Sequence, residues 1–108
     1  RKSYRVETPI PFSLTVIQSA EPELAGQHVT GLETENLRVN GVLFQTDLPQ
    51  KEGDKAGLNL NLAQVLNAVG WVVRSRPVDA GVHAAAVMFL LLEKEEQRQL
   101  IQLIGKLA

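Results

Sequence analysis

Pro9-Ile10-Pro11-Phe12-Ser13-Leu14-Thr15-Val16-Ile17-Gln18 places Ile10, Phe12, Leu14 and Val16 on one side of an extended chain, with Pro11, Ser13, Thr15 and Ile17 on the other. A period of two is the pattern of a half-buried strand. The two prolines put its start at a sheet edge, because a proline cannot donate to a ladder. Ser19 to Gln27 carries Pro22, Gly26 and two glutamates and reads as a loop, and His28 to Thr34 follows as a weaker strand candidate. Glu35 to Asn40 is polar and turn-like. Gly41 then opens the short apolar run Val42-Leu43-Phe44-Gln45-Thr46, of strand composition.

Further along, Asp47 to Gly57 holds Pro49, Gly53 and several charges and is expected to be a loop. Leu58, Leu60 and Leu62 alternate around Asn59 and Asn61 in another strand. Val65 to Arg74 is a further apolar segment whose Val-Gly-Trp-Val-Val content favours strand, with Gly70 at a bulge or a crowded approach. A turn is expected at Pro77 to Gly81. Periodicity alone does not assign Val82 to Leu92, apolar almost throughout; Val87 and Phe89 incline it to strand against the Ala84-Ala85-Ala86 run. Glu93, Glu95 and Glu96 suit the positive end of a helix, and Leu100, Ile101, Ile104 and Leu107 recur at helical spacing. About six short strands and then one helix make an all-β fold, a small antiparallel barrel or sandwich with the C-terminal helix packed on it.

The 108 residues suit a single domain, 1–108, with one core. The chain opens on Arg1 rather than Met, as expected of a domain excised from a longer protein. A hydrophobic content of 44% with 21% charged residues is that of a folded domain, not a disordered one. A net charge of -1 gives no broad attraction to a nucleic acid polymer or an anionic membrane, so any anion site must be local. Without cysteine there is no disulfide, thiolate metal site or cysteine nucleophile. No stretch approaches the roughly 20 apolar residues that span a bilayer, so no membrane insertion is expected.

Arg1-Lys2-Ser3-Tyr4-Arg5 sets two guanidiniums four residues apart on one side of the chain. If extended, their Cα atoms lie ~13 Å apart. A large ligand with two phosphates and guanine edges could use both, since the arginine fork pairs with phosphate oxygens or with guanine O6 and N7. The same residues also fit a loose basic terminus. Asn36-Leu37-Arg38-Val39-Asn40-Gly41 puts polar side chains before a glycine, where the backbone can turn sharply or take positive φ and present Asn36 and N–H groups to an anion. Read alone, it is an ordinary hairpin connection that needs no ligand, because Asn and Gly dominate turns generally.

His28 and His83 have no acidic residue at ligand spacing, so no metal is implied and both read as structural or surface residues. The glutamates near residue 93 are explained by the helix dipole, and Trp71 reads as a core or rim anchor. There is no GxSxG, P-loop or GxGxxG motif, and the chain is not expected to be an enzyme or to need a cofactor.

Taken together, Arg1-x-x-x-Arg5 followed by Asn36-x-Arg38-x-x-Gly41 resembles the paired signature of PilZ domains, RxxxR and then (D/N)xSxxG. Further resemblance comes from the Gly53-Asp54 turn before an alternating strand, from Val72-Val73-Arg74, and from Ala86-Val87-Met88-Phe89 leading into a Glu-rich helix start. The resemblance implies a bacterial six-stranded antiparallel barrel with one C-terminal helix, cytoplasmic, acting as a receptor for cyclic di-GMP and signalling to an adjacent domain or an unidentified protein partner. It implies that Arg1 and Arg5 engage phosphates and guanine edges while Asn36 and Gly41 shape the opposing turn. The family serine falls on Arg38, which replaces a small hydroxyl with a long cation and either adds a contact or fills ligand space. The alternative is a degenerate PilZ-like adaptor that no longer binds the nucleotide.

Overall fold

The computed structural model describes residues 5–62, 64–91 and 93–107. Its elements in chain order are β1 (Arg5–Val6), β2 (Pro11–Gln18), β3 (His28–Arg38), β4 (Gly41–Thr46), β5 (Lys55–Asn61), β6 (Val65–Asp79), β7 (Val82–Leu91) and α1 (Lys94–Leu107), with one 3-10 turn at Pro22–Leu24. All the pairings are antiparallel. The order β3-β2-β5-β6-β7-β4 closes when β4 returns to β3, so the six-stranded barrel and single terminal helix follow the expectation from the sequence. β1 pairs with the end of β3, where β2 has left it.

Alternation puts one face of each strand inside. Phe12, Leu14, Val16, Val42, Phe44, Leu58, Leu60, Val72 and Val87 are buried, and Phe12 meets Phe44 edge to face with ring centres 5.0 Å apart. Leu100 and Ile104 of α1 join this core. The helix begins with Glu93 N–H donating to Glu96 Oε1 at 3.2 Å, and Glu95 and Glu96 occupy its positive end. Ile101, expected on the apolar stripe, is instead 53% exposed, and Leu103 packs on the core in its place.

Three boundaries differ from the sequence expectation. Asn36, Leu37 and Arg38 belong to β3, not to a turn; only Val39 and Asn40 connect β3 to β4. Fully buried Leu37 anchors this stretch, and pairing with β4 satisfies its backbone, which outweighs the polar composition. β5 starts at Lys55, inside the expected loop, because the Gly53-Asp54 turn is tied to β6: Gly53 N–H donates to Val72 O at 2.7 Å and Val72 N–H to Asp54 O at 2.8 Å. β6 runs through Pro77 to Asp79, and the turn is reduced to Ala80 and Gly81. Beyond Trp71, β6 has left β5 and pairs only with β7, so one edge is open and the missing proline N–H costs little there.

Gly70 is both a bulge and a crowded site. The β6–β7 register shifts between Val69 and Gly70, and a Cβ on Gly70 would lie 2.5 Å from Met88 O and from Val87 Cγ1. Gly70→Ala is therefore expected to destabilise the domain by ~1–3 kcal/mol in urea unfolding, as overpacking does. Gly57→Ala, whose added methyl meets only the tip of Ile17 at 3.4 Å, should stay within about 0.5 kcal/mol of the parent.

Candidate functional site

The register lines residues up across the barrel wall. Arg5 opposes Arg38, Arg38 opposes Gly41, Gly41 opposes Met88, Met88 opposes Trp71 and Trp71 opposes Lys55. Cross-strand partners face the same side of a sheet. Their neighbours Val6, Leu37, Val42, Val87, Val72 and Ala56 are buried, so this row lies on the outer face. A second row beside it runs Asn36, Leu43, Ala86 and Arg74. Both rows contribute to a recess of about 270 Å³ that includes Asn36, Arg38, Gly41, Arg74, Ala86 and Met88.

Two β-bulges aim the second row. On β3 the register shifts between Thr34 and Asn36, so that Thr34 points inward opposite Phe44 while Asn36 emerges opposite Leu43. On β6 it shifts between Val72 and Arg74, and the extra residue Val73 carries Arg74 to the outer face opposite Ala86. Strict alternation from Trp71 would have turned Arg74 inward. Sequence reasoning therefore missed Arg74; the bulge has no composition signal of its own.

Of the residues expected at the site, Arg5, Asn36, Arg38 and Gly41 come together, and Arg1 lies outside the described residues. Gly41 does not take positive φ, contrary to one expectation. Its small size is required by close approach instead: a Cβ there would lie 2.5 Å from Val87 O and 3.4 Å from Met88 Cα. The adjoining turn is pinned to β7 by Phe89 N–H donating to Asn40 O at 2.9 Å. The link from β1 to β2 is held on β3, with Ile10 N–H donating to Thr34 Oγ1 at 2.9 Å and Thr34 N–H to Ile10 O at 3.0 Å.

The electrostatics favour an anion. Arg5 and Arg38 are cross-strand partners on the outer face, and like charges paired across a ladder are unfavourable unless negative charge lies between them. Arg5 Nε is 3.0 Å from Glu7 Oε2, a pair with both side chains well exposed that a phosphate can displace at small cost. Asn36 Oδ1 is buried without a hydrogen-bond partner among the described residues. Among the described residues no group of three or more His, Asp or Glu could hold a metal, and no helix is long and apolar enough to cross a membrane. His28 Nδ1 meets Thr15 Oγ1 at 2.7 Å across β2 and β3, which gives it a place in the sheet.

A closed antiparallel barrel bearing a cationic recess on its outer wall defines a small β-barrel domain suited to an anionic ligand. Residues 1–106 match the family model for the PilZ domain, and the chain belongs to that family. No curated protein is matched significantly by sequence. Similar solved structures include the Bacillus subtilis inhibitor of motility MotI/DgrA (13% identity, TM-score 0.75, 98% of this chain and 50% of that one). The PilZ domain of CeSA from a cellulose-synthesizing bacterium gives 18% identity and a TM-score of 0.68, covering 97% of this chain and 98% of that one. YcgR of Escherichia coli, solved in complex with c-di-GMP, gives 15% identity and a TM-score of 0.69, covering 99% of this chain and 45% of that one. The chain thus spans about half the length of MotI and of YcgR.

If Arg5 and Arg38 repel each other in the free domain, Arg38→Ser should raise its unfolding free energy by ~0.2–1 kcal/mol at low ionic strength. The gain should shrink in ~1 M salt, where screening acts within about 3 Å. Urea titrations at the two salt concentrations measure it.

Proposed function

We propose that this domain is a receptor for cyclic di-GMP rather than an enzyme, with the ligand on the outer wall over Gly41. The observation that carries the reading is the cross-strand pair Arg5 and Arg38 beside a glycine-floored recess. A dianionic ligand removes the repulsion between these guanidiniums and turns an unfavourable pair into two charge-assisted contacts. Asn36 lines the recess beside Arg38, and Arg74, from the far side of the recess, reaches a second phosphate or the O6/N7 edge of a guanine. Arg1 joins from the arm that precedes β1. Membership of the PilZ family and the c-di-GMP complex of YcgR support this choice of ligand.

On this reading Arg38 supplies a phosphate contact in place of the family serine's hydroxyl. Residues 1–108 form one ligand-binding unit of a larger bacterial protein that acts in the cytoplasm. The ligand engages the arm against the barrel wall, and the signal passes to an adjacent domain or a protein partner. Val6, fully buried next to Arg5, ties the arm to the core.

Isothermal titration with cyclic di-GMP is expected to give sub-millimolar affinity. Arg5→Ala should weaken it by about 10- to 100-fold, the loss typical of a hydrogen bond to a charged group. Arg38→Ser should weaken it too, and raising the salt concentration should weaken binding by the parent more than by Arg38→Ser. No heat from the parent domain would overturn the receptor reading. A gain of binding in Arg38→Ser from a silent parent would instead establish the degenerate adaptor.

A further inference from the structure

We propose that the open edge of β6, from Val73 to Asp79, is a strand-addition site for an extended acidic segment of a partner protein. Strand addition joins a peptide to a sheet through main-chain hydrogen bonds and takes its specificity from alternate side chains. Such a site stands whether or not the domain binds a nucleotide. β5 covers β6 only as far as Trp71, and the Gly53-Asp54 turn takes the N–H and C=O of Val72. From Val73 onward β6 has β7 on one side and, among the described residues, no strand on the other. The free stretch is about as long as an ordinary strand.

Pro77 keeps its place opposite His83 because its nitrogen, which carries no hydrogen, can lie on the open side of a ladder. Residues two apart along a strand turn their backbone groups the same way, and the register is unbroken between Arg74 and Pro77. Ser75 N–H, Ser75 C=O and Pro77 C=O therefore face away from β7. Among the described residues no turn or loop backbone bonds to any of the three. An incoming strand can take them all.

The side chains decide which strand it is. Arg74 and Arg76 share the outer face opposite Ala86 and Ala84, which offer no charge. Among the described residues neither guanidinium makes a hydrogen bond or an ion pair. Carboxylates at alternate positions of an added strand would stand beside both, and opposite charges facing each other across a ladder are favourable. Val73 and Val78, each 46% exposed, lie near the two ends of the edge and offer apolar contact to the same strand.

The same charges exclude a second copy of this chain. Two such edges laid antiparallel over their full length would put Arg76 against Arg76, and a shift of two residues would put Arg74 against Arg76. Like charges directly opposite each other are destabilising. Proline and charge are devices by which an exposed edge avoids its own kind. Here they leave an opening for a chain that is acidic and needs no N–H from Pro77.

Two synthetic peptides of the same length as the edge, one alternating glutamate with valine and one lysine with valine, test the site by NMR on the isotope-labelled domain. At millimolar concentration the glutamate peptide is expected to shift the amide resonances of Ser75, Arg76 and Val78 and to slow exchange of the Ser75 N–H, while the lysine peptide does neither. Arg76→Glu should weaken the glutamate peptide by about 3- to 30-fold and bring in binding of the lysine peptide. The two peptides on the parent domain decide even if that variant fails to fold. Equal shifts from both peptides, shifts confined to residues away from β6, or no shifts from either would overturn the site. Protection of Ser75 that grows with domain concentration in the absence of peptide, together with faster sedimentation, would make the edge a contact between copies of the chain and likewise overturn it.

Discussion

Closure of the barrel depends on β3 serving two neighbours in turn. Its first half pairs with β2 and its second half with β4, and only because β4 also lies against β7 does the sheet return to its start. That last approach is close: Gly41 stands where any side chain would strike the Val87 carbonyl. One glycine therefore permits the β4–β7 seam and, by having no side chain, leaves the outer wall open at the same point. Structure and site share this constraint, and a larger residue there would harm both.

The proposed site sits on the convex surface of a packed barrel rather than inside it. The interior is filled by aliphatic residues with Phe12 against Phe44, which leaves the wall as the place where chemistry can be displayed. Display on a wall demands rigidity, because a 1 Å error in a guanidinium is large for a bidentate contact. The sheet supplies it. Arg38 and Asn36 are held by a strand whose intervening residue, Leu37, is fully buried, and the connecting turn is bonded to β7. Arg5 is held in the same way by Val6.

Charge is used locally. A chain with a net charge of -1 has no long-range pull on anions, yet Arg5, Arg38 and Arg74 stand on one patch, while Glu7, Glu33 and Glu35 line a neighbouring hollow. A small anion is drawn to the first and away from the second, and an extended polyanion would meet both.

Much of this was legible in the chain itself. The alternation of Ile10, Phe12, Leu14 and Val16, and of Leu58 and Leu60, follows from a strand's period of two, and the C-terminal helix from its glutamates and its apolar spacing. The motif residues Arg5, Asn36, Arg38 and Gly41 could be singled out because arginine forks and turn glycines have distinct chemistry. What the residues alone left open was the face on which each stands. A bulge shifts every following side chain by one position without any mark in the composition, and two bulges, at Glu35 and Val73, bring Asn36 and Arg74 to the surface. The opposition of Arg5 to Arg38, and of Gly41 to Met88, joins residues that are distant along the chain. Only the register of the closed sheet decides such neighbours, because register is set by the collective burial of the inner faces and not by the residues displayed outside.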